Sequence, residues 1–149
     1  MKRTVAALAL AAGAGGCAMP PIDEAAPLPY IAILRPPPEG QEDILLTAGL
    51  RSRIHIDSEC VLLGDTRRVL VLPIFYRGTK VGRDARGLYV QDPHNGIRFR
   101  DGESVRGGGG QSPFTGRELD AILQQPVPQV CLGRTNGTAG SVNPGLRRD

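Results

Sequence analysis

Turn-forming residues constrain this chain more than any other feature. Twenty glycines and 13 prolines are spread through 149 residues. No apolar run between them approaches the roughly 18–20 residues that a membrane-spanning helix requires. What lies between residues 53 and 133 is a series of short segments rich in Val, Ile and Leu, at 54–63, 68–76, 87–92, 97–100 and 103–107. Four or five such segments separated by turn residues predict a mainly β fold, either a small barrel or a strongly curved antiparallel sheet. The length allows one small domain with tails.

Local chemistry fixes several elements. Gly64 and Asp65 mark a turn between the first two segments. Asn95 and Gly96 form the strongest hairpin signal, since a type I′ turn needs φ > 0 at both central residues. In the segment that follows, alternation sets Ile97 and Phe99 on one face and Arg98 and Arg100 on the other. A single short helix is expected after Thr115, whose hydroxyl and the Glu118 carboxylate fit a capping box. Leu119, Ile122 and Leu123 then share a face, and Pro126 ends the run.

The N-terminus carries a separate signal. Met1, Lys2 and Arg3 form a short positive region, residues 5–12 (VAALALAA) an apolar one, and small residues lead to Cys17. This is the layout of a secretory signal peptide, residues 1–16. The Cys directly after the small residues resembles the lipobox of bacterial lipoproteins, departing from it at Ala14 and Gly15. The resemblance implies cleavage before Cys17 and lipidation of its thiol and amine. With two or more acyl chains the attachment is stable. Ala18 lacks the Asp that resembles an inner-membrane retention signal, which implies the periplasmic face of the outer membrane. Ordinary cleavage, for instance after Ala18, is the alternative, and gives a soluble periplasmic or secreted protein.

With Cys17 taken by lipid, Cys60 and Cys131 remain, an even pair in an oxidising compartment and hence an expected disulfide. Two free buried thiols are the alternative. A bridge there contributes roughly 4 kcal/mol by chain-entropy reasoning. Zinc is a poor fit, because no CxxC or HxxxH spacing occurs, and no cofactor motif is present.

Seven of the 13 prolines fall between Ala18 and Gln41. This stretch predicts an extended tether, so that residues 17–50 form anchor and tether, with the apolar patch 30–34 as a candidate edge strand. The β domain is placed at 51–133, and the polar, turn-rich residues 134–149 are expected to be a disordered tail.

The core also resembles a loose group of small uncharacterised bacterial envelope proteins. The likeness rests on Cys60, on the run Asp101, Gly102, Glu103, Ser104 and Val105, on the glycines at 107–110, and on Val130, Cys131, Leu132 and Gly133. It implies a small OB-like barrel and assigns no activity.

The candidates for chemistry are few. Gly107, Gly108, Gly109 and Gly110, with Arg106, are a possible anion-binding loop beside a helix start. The Lys-Ser/Thr of a P-loop is missing, so a sharp bend with at least one glycine at φ > 0 is the favoured reading. His55 and Asp57 alternate onto one face and offer a general-base pair, and His94 sits in a turn; no nucleophile motif accompanies them. Tyr76, Tyr89 and Phe99 are expected in the core rather than on a stacking surface. The 18 basic residues exceed the 15 acidic by little once Lys2 and Arg3 are removed. Their signs interleave, which argues against a nucleic-acid partner. The sequence therefore suggests a membrane-anchored, non-catalytic envelope protein with an envelope-protein or cell-wall partner. A small periplasmic hydrolase or a metal- or anion-binding protein is the alternative.

Overall fold

A computed structural model of the chain describes residues 25–43, 45–66, 69–113 and 116–149. The expected signal peptide, Cys17, the first part of the expected tether and the expected Thr115 cap lie outside the described residues.

Five strands close a barrel, the first of the two expected architectures. They are β2 (Ala48–Ile56), β3 (Val61–Thr66), β4 (Val69–Phe75), β8 (Ser104–Pro113) and β9 (Thr138–Val142). β2 is antiparallel to β3 and β3 to β4; β4 runs parallel to β9, β9 antiparallel to β8, and β8 returns antiparallel to β2. Closure removes the free edges that an open sheet would expose. Two short strands extend the rows. β1 (Ala32–Ile33) pairs in parallel with the end of β4, and β10 (Arg147–Arg148) pairs with the start of β8. The apolar patch after Tyr30 is therefore an edge strand, and residues 48–50 belong to β2, so the domain begins well before residue 51.

A separate three-stranded meander, β5 (Lys80–Asp84), β6 (Gly87–Gln91) and β7 (Arg98–Phe99), covers one end of the barrel. Its Val90 and Phe99 join Ile54, Ile56, Val61, Leu63, Phe75, Val105, Val142 and Leu146 in the inner core. A second cluster lies outside the barrel wall, where Leu62, Leu70, Leu72 and Ile74 meet the helices through Leu119, Leu123, Val127 and Cys131. β4 is thus buried on both faces, which explains its nearly continuous apolar sequence.

The first expected strand, 54–63, is in fact a hairpin. The Asp57 carboxylate accepts the N–H groups of Glu59 and Cys60, both at 2.9 Å. This side-chain-stabilised turn ends β2 and places Gly64 and Asp65 inside β3 instead of at the bend. At the β6–β7 connection only Gly96 has positive φ, +71°. Asp92 rather than a type I′ pair organises that loop, accepting from the amides of His94 and Asn95.

Among the described residues two helices form, not one. α1 (Gly116–Ile122) buries Leu119 as its spacing predicts, with Leu123 just beyond it. α2 (Gln129–Thr135) follows Pro128 and stops at Asn136, which adopts a left-handed φ of 48°, and Gly137. This is a common helix ending. The expected disordered tail at 134–149 is corrected accordingly: it completes α2 and supplies β9 and β10. It is tied down by Asp92, whose second carboxylate oxygen accepts the amides of Gly145 at 2.8 Å and Leu146 at 3.0 Å.

Cys60 and Cys131 are bonded, with Cα atoms 5.9 Å apart across 71 residues of sequence. The bridge fixes α2 to the start of β3. Beside it, Arg134 on α2 pairs with Asp57 in the β2–β3 turn.

Candidate functional site

The barrel has one filled end and one open end, and residue size decides which is which. Phe75 and Phe99 are fully buried towards the meander. At the opposite mouth the strands carry Ala48, Gly49, Gly64, Gly110, Gly140 and Ser141, around a cavity of about 810 Å³. Leu50, Leu63 and Val71 supply an apolar floor. Asp65, Gln111 and Asn136 supply a polar rim. A concave apolar surface with a few polar groups at its edge is the usual form of a small-ligand or side-chain pocket.

Residues 107–110 do not form a loop. They run through the middle of β8, with Gly107, Gly108 and Gly109 paired to β2 and Gly109 and Gly110 to β9. None of the four has positive φ among the described residues, so the expected bend and the open nest of amides are both corrected. The physical reason for the glycines is close approach. A Cβ on Gly109 would stand 2.3 Å from the Ser141 carbonyl oxygen. On Gly107, Gly108 and Gly110 it would stand 2.8, 2.6 and 2.7 Å from the side chains of Leu146, Asn143 and Leu46.

The histidines are not brought to the mouth. His55 is buried, and its Nε2 donates to the Gly64 carbonyl at 3.0 Å. A carbonyl only accepts, so the proton sits on Nε2, and Nδ1 has no partner among the described residues. Asp57 shares its face as expected but is committed elsewhere, to Arg134 and to the amides of Glu59 and Cys60. Burial works against the Asp57 charge, yet those amides and the guanidinium outweigh it and hold its carboxyl below the usual range. His94 lies in the β6–β7 loop beside Gly145. Among the described residues no group of three or more His, Cys, Asp or Glu side chains is placed to hold a metal ion.

Of the three aromatic candidates only Phe99 lies in the core. Tyr89 packs across Gly82 under the Arg98 guanidinium, 4.4 Å from its ring centroid. Arg100 holds both oxygens of Asp84 at 2.9 and 2.8 Å, and with Arg98 keeps that carboxyl below the usual range. Tyr76 donates to Asp43 at 2.6 Å. Arg77 pairs with the same carboxylate and lowers it further, so this ring is also occupied.

Among the described residues no helix is long and apolar enough to cross a membrane. Comparison of the chain with protein-family models, with curated proteins and with solved structures finds no match.

Proposed function

We propose that this protein is a lipid-anchored envelope protein, held at Cys17 on the periplasmic face of the outer membrane, whose small OB-like barrel works by binding rather than by catalysis. The observation that carries the binding reading is the open barrel mouth. Its walls are thinned by glycines, while neither histidine lines it: His55 is buried and bonded to the Gly64 carbonyl, and His94 is exposed in the β6–β7 loop. The Cys60–Cys131 bridge supports export, since such bonds persist in oxidising compartments. The partner is an envelope protein or a cell-wall fragment that inserts an apolar group between Leu50, Leu63 and Val71 and bonds to the polar rim.

The test uses Ala48, which is exposed, lines the cavity and shares the inward face of β2 with Leu50, opposite Gly109. Ala48→Leu therefore extends a side chain into the mouth. Crosslinking in intact envelopes is expected to give a specific adduct for the wild type and none for Ala48→Leu at unchanged melting temperature. Equal adduct formation by both proteins would move the binding site away from the mouth. Anchoring is read separately: palmitate labels the protein and the label vanishes in Cys17→Ser.

A further inference from the structure

We infer that the outer face of the sheet formed by β2, β8 and β10 is a docking surface for the phosphate headgroups of an anionic membrane, built on the row Arg51, Arg106 and Arg147. The register sets Arg106 directly opposite Arg51 of β2 on one side and Arg147 of β10 on the other. Directly opposed residues share a face, with Cβ atoms about 5 Å apart. Three guanidinium side chains therefore leave the sheet in one line, and all three are exposed. Val105 and Leu146, the chain neighbours of Arg106 and Arg147, are buried in the inner core. The line consequently points away from the barrel.

Like charges in direct opposition repel, so the row weakens the isolated domain. Compensation is partial. Asp149 pairs with Arg51 at 2.9 Å, although the Arg51 side chain stays 74% exposed. Asp65 adjoins Arg51 and Arg53 at a depression of about 200 Å³. Among the described residues no carboxylate pairs with Arg106 or Arg147. Further along the same face of β8, Leu46 lies over Gly110 and remains 43% exposed, next to Leu45 at 47%. Arginines that grip phosphate in a forked geometry, flanked by exposed leucines, match the headgroup region and the shallow acyl boundary beneath it.

The occupant follows from the tether, and in this the inference rests on the lipid-anchored reading. Residues 17–24 precede the described chain, and extended backbone spans at most about 3.5 Å per residue, so an anchor at Cys17 keeps residue 25 within about 28 Å of the bilayer. At that range the domain is held beside the bilayer, where a basic face has headgroups as its nearest charge-complementary surface.

The experiment uses mature protein carrying Cys17→Ser, sedimented with phosphatidylcholine vesicles with or without phosphatidylglycerol. Binding is expected only to the anionic vesicles, falling as salt rises. It should weaken about fivefold for each arginine replaced in Arg106→Gln and Arg147→Gln. Arg117→Gln on α1, away from this face, is the charge control and should bind as the parent does. Melting temperatures confirm folding; where the double variant melts early, the single Arg106→Gln and the charge-keeping Arg106→Lys replace it. Equal binding to neutral vesicles, an equal loss in Arg117→Gln, or unchanged binding of the double variant would each overturn the inference. So would displacement from vesicles by millimolar inorganic phosphate at constant ionic strength, which would mark a discrete ion site. Palmitate labelling without vesicle binding defeats this inference and leaves the anchor standing; vesicle binding without labelling does the reverse.

Discussion

Gly109 lies so close to Ser141 that a Cβ would stand 2.3 Å from the Ser141 carbonyl oxygen. The contact is with backbone, within the β8–β9 ladder, so neither side can yield without opening the barrel. Gly109→Ala is expected to cost about 3 kcal/mol, at the upper end of overpacking effects, measured by urea unfolding. Gly49→Ala, which meets open space, is the comparison and should change stability by well under half that. Equal effects at the two positions would mean that the strands, not the approach, require glycine.

Replacing both Cys60 and Cys131 by Ser is expected to lower stability by about 2–5 kcal/mol. The bond closes a long loop and fastens α2 to the barrel. Thermal melts with and without reductant should reproduce the loss in the wild type alone. Thiol titration of denatured, unreduced Cys17→Ser protein should find no free thiol.

Acid should unfold the protein from a predictable side. Asp43, Asp57 and Asp84 all have carboxyl pKa values depressed in the folded state. For such groups the stabilisation is fully present above the unfolded value, about 3.9. It is lost as pH falls through the lower folded values. Stability from these three should therefore be flat above about pH 5 and decline below about pH 4. Arg100→Gln removes the main partner of Asp84 and should flatten part of that decline. An unchanged acid limb in Arg100→Gln would show that the pair contributes nothing measurable in water.

Asp92 is 2% exposed and accepts four backbone amides, from His94, Asn95, Gly145 and Leu146. Removing the carboxylate orphans those donors, so Asp92→Ala should cost about 3 kcal/mol or more. Hydrogen exchange gives the sharper readout. Protection at Gly145 and Leu146 should be lost first, releasing β10. Protection retained there would mean that the pairing of β10 with β8 holds the tail unaided.

Tyr30 offers a spectroscopic check on packing. Burial, with the Asp120 charge nearby, pushes its phenol up to about 12, while the hydroxyl donates to the Gln125 carbonyl. Alkaline difference spectra should show one tyrosine ionising near that value in the folded protein. Its appearance near the ordinary value of about 10 would detach the 30–34 segment from the barrel.

The sequence alone determined whatever depends on neighbours a few residues apart. The run 69–75 is apolar on both sides of its alternation and became the strand buried on both faces. Leu119 and Leu123 share a helix face because four residues make about one turn. The turn-rich spacing allowed only short strands, and the barrel they form was one of two architectures open to them. With Cys17 set aside, the cysteine pairing had a single solution. The tertiary structure alone decided what depends on register between distant strands. The glycine run looks like a loop until Ser141 of β9 is laid against it, because the need for glycine comes from a backbone 32 residues away in sequence. The tail looks disordered because its anchor is Asp92, more than 50 residues upstream. The arginine row is invisible along the chain for the same reason: Arg51, Arg106 and Arg147 become neighbours only when β2 and β10 pair with β8 at one register. A slip of one residue would have turned Arg106 into the core and Val105 out to solvent.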